Sequence, residues 1–150
     1  MELEFCTRFT ISGSHVIYAG AGPGHHIIPL SRKFPEVYFH LYDPNPIRIP
    51  ESDQIKVHPY FFTYSTAQYW SEQSVTKLFI SDKPTSGLQS EDETENYVKE
   101  DMDAQMNWVR IISPMVSLLK FCLCCTPSDI SKGRFIFSLE QVLLLLNLGS

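Results

Sequence analysis

Nowhere in these 150 residues is there an apolar run long enough to cross a bilayer. The longest, Val142 to Leu148, falls far short of the roughly 20 residues that a spanning helix needs. Glu140 and Gln141 interrupt its upstream extension. The N-terminus, Met1 to Cys6, is acidic and lacks the basic stretch and apolar core of a secretory signal. Cysteine is scarce and poorly distributed for a disulfide framework, with four residues at 6, 122, 124 and 125. Reduced thiols and an intracellular protein are therefore expected. Cys122 and Cys125 have C-x-x-C spacing, but no second pair completes a zinc site and no metal is expected. Packing as small hydrophobes is the better reading of these thiols. Excess positive charge is missing too. The formal net charge of −5 argues against non-specific coating of nucleic acid and leaves room for a local basic groove.

What remains is an ordinary globular balance, 43% hydrophobic and 19% charged, at a length that implies one domain over residues 1–150. The organising stretch is His15 to Leu30. A β-type run, His15 to Ala19, ends in glycines at 20, 22 and 24 and leads to an apolar, helix-like segment stopped by Pro35. Glycines at such a turn allow close backbone approach and φ > 0. A helix starting there would aim unpaired N–H groups at a ligand above the strand.

Further strands are expected at Val37–Tyr42, Ile55–Tyr60, Thr76–Ser81 and Met115–Phe121, and one more at Arg134–Glu140. A short helix is expected over Thr66–Glu72 with Ser65 as its cap, and an amphipathic one over Thr94–Ile112. Lys83 to Glu93, polar and carrying Pro84 and Gly87, reads as a loop. Residues 1–14 are too few for a subdomain. Strands alternating with helices predict an α/β fold with a mostly parallel, doubly wound sheet.

The glycine spacing narrows the ligand. Dinucleotide folds use G-x-G-x-x-G, whereas position 25 here is His, so the match to that fingerprint is poor. Asp43 ends the second strand, where a carboxylate can accept hydrogen bonds from both ribose hydroxyls. S-adenosylmethionine, which has no pyrophosphate, suits a loop of this kind. A glycine turn that holds no ligand, and a nicotinamide-dependent oxidoreductase, are the alternatives.

Val16 to Ile27, Leu41-Tyr42-Asp43, Phe79-Ile80-Ser81-Asp82, Asn96-Tyr97 and Ser113 to Lys120 occur in an order and spacing that resemble a known family. It is the poxvirus-type cap-specific mRNA nucleoside-2′-O-methyltransferases, which double as the regulatory subunit of the viral poly(A) polymerase. The similarity spans about residues 15–121. The resemblance implies a Rossmann-like S-adenosylmethionine-dependent methyltransferase sheet, cut short at both ends, within the FtsJ-like (RrmJ-like) group. That group uses a Lys-Asp-Lys-Glu tetrad. Asp82 matches its aspartate, Lys120 its second lysine, and Glu140 its glutamate, unless Glu140 is an exposed helix-start carboxylate. Gly20, Gly22, Gly24, Asp43 and Asp82 would hold S-adenosylmethionine, with Phe61 or Phe62 against its adenine. Capped mRNA and a poly(A) polymerase catalytic subunit are the implied partners, in the cytoplasm or a virion.

The resemblance also has gaps. The 19 residues before Gly20 contain no lysine to match the first of the tetrad, and Arg8 is too basic to accept a proton. A cysteine stands where the family's guanine-stacking aromatic follows Lys120, and Asn45 where it has an arginine. Residue chemistry supports a methyltransferase. A ribose hydroxyl must lose its proton as it attacks, and a lysine serves as base only when burial or nearby cations lower its pKa. Lys120 closes the apolar run Met115 to Leu119, which could provide that burial, although a strand-end lysine reaching to water fits the same pattern. The competing function is a methyltransferase-fold regulatory subunit without catalysis.

Overall fold

Val16-Ile17-Tyr18-Ala19 is apolar on both sides, and a strand of that kind needs helices above and below it. The computed structural model describes residues 2–82, 103–123, 131–138 and 140–141, with backbone alone at 120–123 and 131–135. The elements are α1 (Glu2–Phe9), β1 (His15–Ala19), α2 (Ile27–Lys33), β2 (Tyr38–Tyr42), β3 (Ile55–His58), α3 (Tyr64–Ser71) and β4 (Lys77–Ser81). A helix over 103–112, here α4, precedes β5 (Val116–Leu123) and β6 (Ser131–Ser138).

The six strands form one sheet in the order β3-β2-β1-β4-β5-β6. Every pairing is parallel except β5 with β6. Side chains alternate across it. Val16, Tyr18, Leu41, Leu78, Ile80 and Leu118 meet α1 and α2 on one face. On the other face Ile17, Ala19, Phe79 and Leu119 meet Trp70 of α3 and Trp108, Val109 and Ile112 of α4. The expected doubly wound α/β sheet is present. Its order reverses between β1 and β4, the point where open α/β sheets bind ligands at the carboxyl ends of their strands.

Several local expectations need correction. Residues 2–9 form a helix whose Phe5 and Cys6 are completely buried against the sheet. Tyr18 Oη donates to Glu2 Oε1 at 2.9 Å, pinning this helix from the core side. Burial, with Glu2 nearby, pushes the Cys6 thiol up to about 12, so it packs as an inert hydrophobe. The cap of α3 is Thr63 and not Ser65. Its side chain accepts from Thr66 N–H while Thr66 Oγ1 accepts in return, so the helix begins two residues early. β3 stops at His58, and the last strand ends at Ser138, leaving Glu140 in a helical turn. The expected loop at 83–93, the first half of the expected helix at 94–102, Cys124, Cys125 and the tail at 142–148 lie outside the described residues. Among the described residues no helix is long and apolar enough to cross a membrane.

Candidate functional site

The glycine turn is tied to the end of β2 by backbone and carboxylate together. Gly20 N–H donates to the Tyr42 carbonyl at 2.8 Å, continuing the β1–β2 ladder one step past the strand. Gly20 and Gly24 have φ of +83° and +87°, which glycine adopts without a Cβ penalty. Between them, Gly22 N–H donates to Asp43 Oδ2 at 2.8 Å. The other oxygen, Oδ1, accepts from Asn45 N–H at 2.8 Å. Asp43 thus clamps its own loop with one oxygen and the glycine loop with the other. A second tie runs from Arg48 N–H to the Pro23 carbonyl at 3.1 Å, and Ile47 and Ile49 pack under Gly24.

This differs from the expected helix-N-terminus cradle. α2 starts only at Ile27, and Ile27 N–H is spent on the Gly24 carbonyl at 3.0 Å. The charged group nearest the turn is the Asp43 carboxylate, and it is 6% exposed. Such a group has about four acceptor positions, of which two are taken by Gly22 and Asn45. The remaining two match the two hydroxyls of a ribose in number and kind. That chemistry fits the nucleoside half of S-adenosylmethionine.

Asp82 reaches the same end of the sheet. Ala19 pairs with Ser81, and Asp82 N–H then donates to the Ala19 carbonyl at 2.9 Å, which sets Asp82 beside Gly20. Ser81 pairs in turn with Leu119, so Lys120 leaves that register at the level of Asp82, opposite Arg134 of β6. Gly20, Gly22, Gly24, Asp43, Asp82 and the backbone of Lys120 therefore gather at one end. Glu140 does not join them. β6 runs backwards, Ser138 pairs with Val116, and Glu140 lies two residues further on, exposed in a helical turn. From Val116 to Lys120 the strand climbs about 13 Å, so Glu140 is at the opposite end of the sheet. The helix-start reading of Glu140 is the one its position favours.

The two phenylalanines part company. Phe62 is 7% exposed, with ring centroids 5.2 Å from Tyr42, 5.5 Å from Phe79 and 5.0 Å from Trp108. It is a core residue. Phe61, 62% exposed, is the one open to a ligand. Among the described residues no group of His, Cys, Asp and Glu could hold a metal ion.

No protein-family model and no curated protein matches this sequence. A solved structure does match in fold. Bluetongue virus VP4, a multifunctional RNA-capping production line, matches 91% of this chain with a TM-score of 0.68 at 16% identity. The shared fold is a Rossmann-like α/β sheet. The chain spans 25% of the length of VP4, and at that identity the likeness is one of fold.

Sequence reasoning missed a second cluster. His15, His40, Tyr42 and His58 stand side by side across β1, β2 and β3 on the α3 face. His15 Nδ1 and His40 Nε2 share a hydrogen bond of 2.9 Å, and the His58 ring stacks on Tyr42 at 4.3 Å. Trp70 closes the row, donating from Nε1 to Tyr42 Oη at 3.0 Å. Burial pushes all three imidazoles down, His40 to about 3 with help from His15, His58 and Lys56. The signal was available as aromatic and imidazole residues at alternate positions, 38, 40 and 42 in β2 and 58 and 60 after it.

Proposed function

We propose that this chain binds S-adenosylmethionine at the Gly20–Gly24 loop and methylates the ribose 2′-hydroxyl of capped mRNA, in the manner of the poxvirus-type enzymes. The observation that carries the reading is the Asp43 clamp, which holds the glycine loop close yet keeps two acceptor positions for a ribose. When bound, the cofactor supplies a methyl group activated by its sulfonium. Asp82, beside Gly20, favours that positive charge, and the exposed Phe61 offers a face to the adenine. Lys120, at the level of Asp82, would take the 2′-hydroxyl proton as a neutral amine.

The test is transfer of tritiated methyl to capped RNA by the wild type and Lys120→Ala. Removing a general base lowers the rate by roughly two to four orders of magnitude. Equal transfer by both proteins would sink the catalytic reading.

The position of Glu140 supports a second reading: a methyltransferase-fold subunit that binds cofactor or RNA and assists a poly(A) polymerase catalytic subunit without catalysis of its own. Under that reading calorimetric titration detects S-adenosylmethionine, methyl transfer is absent from wild type and variant alike, and added chain stimulates polyadenylation. Titration with NAD in place of S-adenosylmethionine addresses the oxidoreductase alternative.

A further inference from the structure

Below the carboxyl end of the sheet, along the β2–β3 edge and under α3, lies an open groove of about 520 Å³. That is the size range of small-ligand clefts. Its lining is unusual in kind. All ten residues are aromatic, imidazole, hydroxyl or charged, and not one is aliphatic. Tyr60 and Tyr69 stand at 52% and 55% exposure, and Trp70 forms part of the wall. The same short segment, 60–69, also exposes Phe61 and Tyr64, so four of the five exposed aromatic rings among the described residues fall within it. Rings of this size are normally buried or matched with a partner.

The chemistry of the rim selects among ligands. A lipid tail or an aliphatic peptide side chain would find no branched or straight apolar wall to pack against. A flat ring would find faces to stack on. At its edge it would meet the Ser65 and Thr66 hydroxyls and the Glu51 carboxylate. Glu51 Oε1 already accepts Val57 N–H at 2.8 Å, and a carboxylate has further acceptor capacity for a ring N–H. Lys56 adds one cation, enough for one phosphate. Its two histidines, His40 and His58, have their pKa values lowered by burial and add no positive charge at neutral pH. Faces for stacking, a polar rim and a single cation make a site for one base rather than an electrostatic track.

We propose that this groove receives an unpaired nucleobase of a single-stranded RNA, stacked on Tyr69 and Tyr60 with its phosphate on Lys56. Its lining includes neither the glycine loop nor Asp43, and it rests on the methyltransferase reading only in taking RNA as the strand. Stacking of one base on an aromatic side chain is worth about 1–3 kcal/mol and tolerates any sequence.

The probes are fluorescein-labelled, uncapped oligouridylate and, as the free-base arm, uridine 5′-monophosphate; uracil avoids competition at an adenine subsite. Tyr69→Ala should weaken oligouridylate binding by roughly 5- to 150-fold, while Tyr69→Phe, which keeps the ring, binds like wild type. Lys56→Gln should make the logarithmic salt slope shallower by about 0.7, the loss of one phosphate contact. Uridine monophosphate that binds as tightly as the strand would overturn the RNA assignment in favour of a free nucleotide. Undetectable oligouridylate binding by wild type, or equal binding by wild type and Tyr69→Ala, overturns the site altogether. Calorimetric titration of the same variants with S-adenosylmethionine should be unchanged. Loss of cofactor binding in the wild type would instead defeat the methyltransferase reading and leave the groove to be judged by oligouridylate alone.

Discussion

A Cβ on Gly22 would come within 2.9 Å of Asp43 Oδ2 and 3.1 Å of its carboxyl carbon. The second glycine of the turn is therefore required by the protein's own carboxylate, before any ligand arrives. Gly22→Ala must push Asp43 or the loop aside, and both are held by hydrogen bonds. The expected loss is about 1–3 kcal/mol of stability, the usual range for overpacking, together with at least tenfold weaker S-adenosylmethionine binding. Urea denaturation and calorimetric titration measure the two separately. An unchanged affinity in Gly22→Ala would mean the loop does not hold the cofactor. Glycines 20, 22 and 24 and Asp43 were legible as a pair of features in the sequence, but their direct bond was not. Nothing in a linear pattern says that a carboxylate 21 residues away fills the space a side chain would have occupied.

Strands and helices were legible wherever one periodicity dominated. β1, α2, β2 and β4 sit within a residue or so of expectation because their apolar pattern, glycine turn or proline stop leaves few alternatives. α1 was missed because its eight residues put only Phe5 and Cys6 inside, too few for a recognisable stripe. The histidine row was missed because its meaning lies between strands. His15, His40 and His58 come from three different elements, and parallel register alone makes them neighbours. That row carries a pH dependence. The folded-state pKa of His40 lies near 3, below its unfolded value of about 6.5. Below that unfolded value the unfolded chain binds more protons, so stability contributed by the neutral imidazole is present at neutral pH and is lost as pH falls from about 6.5 towards 3. The groups facing it, His15, His58 and Lys56, all oppose a positive charge there. Each such imidazole contributes a slope of at most about 1.4 kcal/mol per pH unit in this window. Urea melts at pH 5 and pH 7.5 should differ clearly for wild type and less for His40→Gln, which retains a polar partner for His15. Identical pH dependence in the two proteins would remove His40 from the cause.

At the scale of the whole molecule, the direction of one strand divides the residues that the resemblance brings together. Parallel strands β1, β2, β4 and β5 all end on the same side, and chemistry collects there because each delivers a loop to it. β6 is antiparallel and carries the chain back to the far side before Glu140 is reached. The sequence offered Glu140 because it follows an apolar strand, as the tetrad glutamate should. It could not reveal the strand's direction, which depends on pairing rather than pattern. The consequence for activity is specific. Asp82→Ala removes a carboxylate next to Gly20 and should abolish measurable methyl transfer and weaken S-adenosylmethionine binding, whereas Glu140→Ala should leave both within twofold of wild type. Thermal unfolding supplies an independent readout. A ligand at one hundred times its dissociation constant stabilises the folded chain by about 2.7 kcal/mol, so saturating S-adenosylmethionine should raise the melting temperature of wild type and Glu140→Ala equally, and of Asp82→Ala much less. A selective loss in Glu140→Ala would require the end of β6 to reach the glycine loop, contrary to the register of β5 with β6, and would overturn this division of the sheet.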